Sequence, residues 1–305
     1  MYTSFKTASV EFLTKLQEDI CNALSASDGK ADFSKDTWER TDETSAPGGG
    51  GLTRLLVNGG VIEQGGVNFS EVYGTLPREM AHKLIGSNRD EKFYATGVSL
   101  VIHPHSPKVP TTHANFRYLE VENHAWFGGG ADLTPFVLEE DDAKHFHSVF
   151  KNACDKFSPD YYPQFKKQCD EYFLIPHRGE TRGVGGIFYD YLGKSEPSKL
   201  EHYFEFMKSV APAFIEAYLP IVEKRKHETF TEREKEFQLL RRGRYVEFNL
   251  VYDRGTQFGL HTKGRSESIL MSLPPLVRWQ YEGSLAVTDE EKKLEAVLRE
   301  PREWV

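Results

Sequence analysis

The sequence predicts an α+β fold, a single domain over residues 1–305 built on one large, mainly antiparallel β-sheet, and three observations carry that prediction. Runs with the two-residue alternation of strands occur at the front, middle and end of the chain, with helix-period runs inserted among them rather than alternating one for one. The early strand-like runs are separated by Asn58-Gly59-Gly60 and Gly65-Gly66, turn chemistry that suits hairpins between antiparallel neighbours. No linker, repeat or low-complexity stretch divides the 305 residues, a length at which one domain still buries a sizeable core.

Taken in order, Val10, Leu13, Leu16, Gln17 and Ile20 recur at helical spacing with Gly29 beyond them, so an amphipathic helix comes first. Gly48–Gly51 lack the lysine and serine of a phosphate loop and read as a flexible loop. Leu52–Tyr73 reads as short strands joined by the two glycine turns, and Phe93–His103 as a further strand ended by Pro104 and Pro107. Glu139–Phe157 and Tyr161–Phe173 carry helical patterns, and Arg182–Tyr189 reads as a strand weakened by glycines. Pro197–Lys226 is a long helical run that Pro212 and Pro220 kink or divide. Glu228–Arg242 is a charged helix, Tyr245–Tyr252 alternates like a strand, and the stretch from Asp253 to Ser268 reads as a loop dense in glycine and arginine. Ser268–Leu273 is an apolar run, and Asp289–Leu298 a short last helix.

The chemistry concentrates in Thr111–Pro135. In an extended segment His113, Asn115 and Arg117 share one face, while Ala114, Phe116 and Tyr118 take the other. Pairing with the preceding strand is expected to bring Ser99 and His103 beside His113 and Asn115. Gly128, Gly129 and Gly130 then read as a turn whose bare backbone admits a ligand plane, with Asp132 close behind. A histidine, an amide, an arginine and an acid around a glycine floor suit a large planar acidic ligand.

Composition narrows the partners. With 46 acidic against 38 basic side chains the net charge is −8, which argues against a general binder of nucleic acid or membrane surfaces. Cys21, Cys154 and Cys169 are too few and too scattered for a disulfide framework or a cysteine-rich zinc site. No run approaches a membrane span, and the N-terminal stretch lacks signal-peptide and transit-peptide character, so a cytoplasmic protein is expected.

Among the 11 histidines, His145 and His147 point some ~200° apart on a helix and cannot chelate together. No ligand spacing of a known metal motif appears, and none of a nucleophile elbow, phosphate loop or flavin site. Arg117, Arg178, Arg182, Arg244, Arg254 and Arg265 each lie beside glycine or on a polar strand face. Arginine pairs bidentately with carboxylates, so as a set these point to a polyanionic ligand, although any one of them also suits a structural ion pair. Asp132 taken alone reads as a turn or helix-cap residue.

Six long blocks then carry a resemblance: GVSLVIHP from Gly97, HANFRYLEVE from His113, WFGGGADLTPF from Trp126, KKQCDEYFLIPHRGETRGVGGIFYD from Lys166, GRYVEFNLVYDRGTQFGL from Gly243 and GRSESILMSLPPLVRW from Gly264. Over most of its length the chain resembles the oxygen-dependent coproporphyrinogen III oxidases. That resemblance implies a large flat sheet between helices, a homodimer served by part of Tyr245–Leu276, and oxidative decarboxylation of two propionates of coproporphyrinogen III to vinyls, with O₂ as co-substrate and no cofactor. It implies substrate contacts at Ser99, Asn115, Phe116, Arg117, Lys263, Gly264 and Arg265, a proton donor at His113, and at Asp132 an acid engaging the pyrrole N–H groups. Histidines described as metal ligands in some bacterial relatives fall on His103, His113, His147 and His177, but relatives without metal keep them too, and no metal is expected. Two departures stand out: Lys263 where a glycine is usual in bacterial members, and Tyr191 in place of an acid after Asp190. Two other readings compete, a non-catalytic porphyrin carrier on the same scaffold and a metal-dependent hydrolase built on the histidines.

Overall fold

The computed structural model describes residues 3–41, 47–261, 264–281 and 284–305. Helix α1 (Thr3–Asp28) buries Leu13, Leu16, Ile20 and Leu24, the three-and-four spacing of one helical face, and ends at Gly29 in the left-handed region (φ +69°). Strands β1 (Ser34–Thr41), β2 (Pro47–Val57) and β3 (Ile62–Leu76) follow, then the short helix α2 (Arg78–Ile85) and strands β4 (Glu91–Pro104), β5 (Thr111–Val121) and β6 (His124–Thr134). Successive strands are antiparallel neighbours, so chain order is also sheet order. The Gln17 amide donates to the carbonyls of Leu52 and Val67 and so ties α1 to β2 and β3.

Four helices come next, interrupted by strands: α3 (Glu140–Asp155), α4 (Tyr161–Tyr172), the two-residue strands β7 (Leu174–Ile175) and β8 (Glu180–Thr181), then β9 (Gly185–Leu192), α5 (Leu200–Val210) and α6 (Ala213–Arg225). β9 pairs with β6 and completes a seven-stranded antiparallel sheet, while β7 and β8 form a separate ribbon. The last described elements are α7 (Glu232–Val251), α8 (Arg254–His261), α9 (Ser266–Leu270) and α10 (Asp289–Arg299). Val98, Leu100 and Ile102 of β4 and Ala114, Phe116 and Tyr118 of β5 are fully buried in one core with α1, α3, α5 and α6. The opposite sheet face carries the polar residues and is overhung by α8 and α9, so helices lie on both sides of the sheet. Among the described residues no helix is long and apolar enough to cross a membrane.

Several expected elements differ, and close packing is the usual reason. Gly48–Gly51 are not a loop but belong to β2, because a Cβ on Gly51 would lie 2.5 Å from the Trp38 indole of β1. Gly65 and Gly66 are not a turn but sit within β3, where a Cβ on Gly66 would strike the Met271 sulfur lying on the sheet. Gly128–Gly130 are interior to β6, and the turn falls instead at Glu122, whose φ of +52° is left-handed. Pro197–Lys226 divides before Pro212, while Pro220 stays inside α6. Tyr245–Tyr252 is not a strand but the second half of α7, which starts from a Thr231/Glu234 capping box and buries Phe237, Arg241, Tyr245 and Phe248 along one face. The Asp253–Ser268 stretch contains α8 and α9 rather than a bare loop.

The pairing of β6 with β9 depends on Gly130, whose φ is +158° and whose absent Cβ would run into the Ile187 carbonyl oxygen. Gly130→Ala is expected to cost about 3 kcal/mol, read as a lower urea midpoint at unchanged slope. An unchanged midpoint would show that the two strands part freely.

Candidate active site

A cleft enclosing about 420 Å³ lies over the polar face of the sheet, a volume usual for small-molecule sites. The strand register builds its floor. Ser99 stands opposite Asn115, Gly97 opposite Arg117 and Val101 opposite His113. On the other flank His113 faces Asp132, Asn115 faces Gly130 and Arg117 faces Gly128. Ser99, His113, Asn115 and Arg117 therefore line the cleft, as the alternation predicts. His103 lies farther along, where its Nδ1 accepts from Thr111 and its Nε2–H donates to the Ser272 carbonyl, so it is not at the cleft floor.

Behind the floor runs a chain of charge. His113 Nδ1–H donates to Asp132 Oδ1 at 2.9 Å, and Arg182 Nη2 donates to both Asp132 oxygens at 2.8 and 2.9 Å. Arg182 Nη1 reaches the Asn249 amide oxygen of α7, and its guanidinium lies over Phe173, Tyr245 and Phe248 at 4.1, 4.5 and 5.0 Å. The Asp132 and Arg182 side chains are 2% and 1% exposed, whereas His113 is 20% exposed. Burial on its own would raise the Asp132 pKa, but the Arg182 charge and the hydrogen bonds from His113 and Arg182 hold it below the ordinary carboxylate range. Among the described residues His113 Nε2 takes no protein partner. With Nδ1–H anchored, Nε2 is the ring nitrogen left without a partner among those residues.

The contacts of Asp132 within the protein are thereby defined. It is neither a turn nor a cap residue, and its carboxylate accepts from Arg182 and His113. Removing it would leave Arg182 buried without a counter-charge, so Asp132→Ala would weaken the fold as well as the site.

Two acids among the described residues line the cleft, Asp190 of β9 and Asp253 just before α8, and the Asp190 side chain is 15% exposed. Its Oδ2 receives Arg117 Nη2 at 2.9 Å, with Arg254 Nη2 at 3.9 Å. Gly128 explains why Arg117 can lie flat here: a Cβ would sit 2.6 Å from Asp190 Oδ1 and 3.0 Å from the Arg117 guanidinium. The glycine is roofed by this ion pair rather than left bare for a ligand. Arg265 and Gly264 line the far wall, and Arg265 Nη2 pairs with Asp36 of β1 at 2.6 Å while its Nη1 has no hydrogen-bond partner among the described residues. Lys263 lies outside the described residues. Phe116 points to the opposite face with its ring fully buried in the core, so its side chain does not line the cleft.

Of the six arginines singled out by sequence, Arg117, Arg182, Arg254 and Arg265 line the cleft. Arg178 and Arg244 instead serve Glu247 of α7, which accepts from Arg178 at 2.8 Å through both oxygens, from His177 Nε2–H at 2.7 Å and from Arg244 at 3.3 Å. Against the opposing pull of burial, these hydrogen bonds and charges hold Glu247 down to about 2. Nor do His103, His113, His147 and His177 make a metal set. His103, His147 and His177 each accept a hydroxyl at Nδ1 and donate from Nε2 to a carbonyl or carboxylate. Burial pushes His103 and His147 down to about 3, and among the described residues no group of three or more His, Cys, Asp or Glu converges as metal ligands would.

Sequence reasoning missed Asp190 and Asn249. The alternation of β9 holds the signal for Asp190: carried one residue past Tyr189, it puts Asp190 on the face of Phe188. Asn249 was assigned to a strand, and no strand pattern places it beside Arg182.

A family model described as coproporphyrinogen III oxidase matches residues 8–304 of the chain. An oxygen-dependent coproporphyrinogen-III oxidase of Prochlorococcus marinus (strain MIT 9313) is 48% identical over 320 aligned positions, covering 96% of this chain and 89% of that relative.

The Glu247 cluster sets a pH expectation. Its folded pKa, about 2, lies below the usual 4.5, so it contributes stability at pH values above 4.5 that is lost as the pH falls toward 2. Acid titrations of stability should therefore fall less steeply in that window for Glu247→Gln than for the parent protein, and equal slopes would remove Glu247 from the acid response.

Proposed function

The chain belongs to the coproporphyrinogen III oxidase family, and from that premise we propose that its cleft converts two propionates of coproporphyrinogen III to vinyls, giving protoporphyrinogen IX. The observation that carries the assignment of residues is the buried Arg182–Asp132–His113 chain opening onto a floor of arginines. Each propionate loses CO₂ from its carboxyl end and one hydrogen from the carbon next to the ring, which releases two electrons. O₂ accepts those electrons and two protons, leaving hydrogen peroxide, so atoms and charge balance with O₂ as the oxidant. His113, held through Nδ1–H, presents Nε2 as the group that delivers a proton to reduced oxygen. Arg117 and Arg265, which line the cleft, receive substrate carboxylates. Ser99, Asn115 and Gly264 border the same space. Asp132, the acid that the family resemblance directs at the ring N–H groups, acts here by holding His113 in place.

We propose further that the reaction needs no flavin, haem or metal. The reduced ring supplies the electrons itself, and the histidines with the metal-like pattern are engaged in hydrogen bonds of other kinds. The active form is proposed to be a homodimer. Leu250, Val251, Leu260, Leu270, Leu276, Trp279 and Tyr281 are exposed within one stretch of chain, an apolar surface that a second copy would cover. A cytoplasmic setting suits the three unpaired, buried cysteines.

Anaerobic mixing of metal-stripped protein with coproporphyrinogen III, followed by O₂ and chromatography of the oxidised porphyrins, is expected to yield protoporphyrin with matching CO₂. Binding without vinyl formation would instead support a carrier, and product only after metal is restored would return the histidines to the site. In the same assay His113→Asn should lower kcat by about 10²- to 10⁴-fold, whereas Arg265→Met should act mainly through KM. Sedimentation should give twice the 34.9 kDa chain mass. A monomer at assay concentration would refute the dimer.

A further inference from the structure

The geometry points to Trp304 as a positioning residue of the active site: the segment Pro301–Val305 braces the Thr181–Val184 connection and thereby fixes Arg182 against Asp132. This inference rests on the proposed reaction at the cleft, and nothing in the sequence patterns anticipates it.

Arg182 sits on a connection with little stiffness of its own. Between β8 and β9 the chain reads Thr181-Arg182-Gly183-Val184-Gly185-Gly186, three glycines in six residues, and Gly185 has a φ of +83°. Glycine carries the least intrinsic conformational restraint of any residue, so the place of Arg182 is set by what grips its neighbours.

Two of those grips are local to the site. Val184 N–H donates to the Leu133 carbonyl beside Asp132, and Arg182 N–H donates to the Phe173 carbonyl at the end of α4, each at 2.9 Å. The others come from α10, the segment after it, and α3. Thr181 Oγ1–H is shared between the Leu298 carbonyl at 3.0 Å and the Gly183 carbonyl of the connection itself at 2.9 Å. The Val184 carbonyl accepts Trp304 Nε1–H and His147 Nε2–H, both at 3.1 Å. Trp304 is 6% exposed, stacks on the His147 ring at 27° with centroids 6.1 Å apart, and carries the Arg302 guanidinium 4.4 Å from its centroid. Tyr162 O–H in turn donates to His147 Nδ1 and sets the tautomer that points N–H at Val184. Trp304 itself does not line the cleft.

The consequence separates turnover from binding. If the Trp304 bond is lost, the Val184 carbonyl keeps His147 alone and the glycine-rich connection gains freedom. Arg182 then holds Asp132 less firmly, and Asp132 holds the His113 ring less firmly. The carboxylate-binding arginines Arg117 and Arg265 stand on β5 and beside α9, outside this line of contacts. Loss of positioning at the reacting group lowers kcat, whereas KM follows the anchors that remain.

The test compares Trp304→Phe, which keeps the ring but removes the N–H donor, with Trp304→Ala, by steady-state kinetics with coproporphyrinogen III in air and by amide hydrogen exchange. We expect kcat to fall about fivefold for Trp304→Phe and about 10²-fold for Trp304→Ala, with KM within about twofold of the parent. Exchange should quicken at Arg182 and Val184 while Ala114 and Phe116 in the neighbouring sheet stay protected. Parent-like kcat in Trp304→Phe, a change confined to KM, or exchange that quickens equally across β4 and β5 would each overturn the proposal. Should Trp304→Ala fail to fold, Trp304→Phe decides. If the parent protein itself forms no vinyl product, the proposed reaction fails, and the exchange pattern at Arg182 and Val184 alone judges the brace.

Discussion

The buried ion pair between Arg182 and Asp132 is the constraint on which the rest of the molecule depends. Two charges withdrawn from water this far cost several kcal/mol each unless almost every donor and acceptor is satisfied. Here the carboxylate receives Arg182 and His113, while the guanidinium adds Asn249 and the faces of three aromatic rings, with its buried Nε left without a hydrogen-bond partner among the described residues. Those partners come from β5, β6, the end of α4 and the last turns of α7. The pair therefore determines how α7 lies against the sheet, and the sheet register in turn determines that His113 stands opposite Asp132. The His113 ring held by such a pair has one nitrogen fixed and the other without a partner among the described residues. Pre-organisation of this kind lowers the barrier without any movement at the moment of reaction.

The glycines of the chain act on the same principle of close approach. Gly128 lets the Arg117–Asp190 pair lie against β6, Gly66 lets Met271 rest on β3, and Gly51 accepts the Trp38 indole. In each case a missing Cβ brings a distant part of the chain onto the sheet. The planar, polar floor of the cleft follows from these contacts rather than from flexibility.

That distinction marks the limit of what the sequence makes legible. The faces of β4 and β5 are readable because one side is mainly apolar and the other is not, and Ser99, His113, Asn115 and Arg117 line the cleft for that reason. A glycine in a turn and a glycine under a neighbour look alike, since the neighbour is remote in sequence. The second half of α7 is opaque for a different reason: its buried positions include Arg241, Arg242, Arg244 and Asn249, so hydrophobicity loses its helical period and Tyr245–Tyr252 imitates a strand. Asp132 is legible as an important acid from the family resemblance, but not its layer, because the arginine that covers it lies 50 residues farther on. The cleft arginines are the converse case. Their residue type and glycine neighbours point to carboxylates, yet only the fold separates Arg117 and Arg265 at the cleft from Arg178 and Arg244 at Glu247.

The pairing of these arginines within the protein bears on which ligands the cleft accepts. Arg117 has Asp190, Arg182 has Asp132 and Arg265 has Asp36. A ligand carboxylate arriving at Arg117 exchanges one carboxylate partner for another, and an exchange between similar ion pairs yields little net free energy. A small monoacid therefore gains almost nothing from the charge alone. A ligand with several carboxylates on a broad apolar plane differs, because Val101, Leu119, Trp126 and Phe188 surround the same floor and each buried Å² of apolar surface contributes about 25 cal/mol. Selectivity for a large, flat polyacid then comes from the sum of plane and charges, with the protein's own acids suppressing every ligand that offers only the charges.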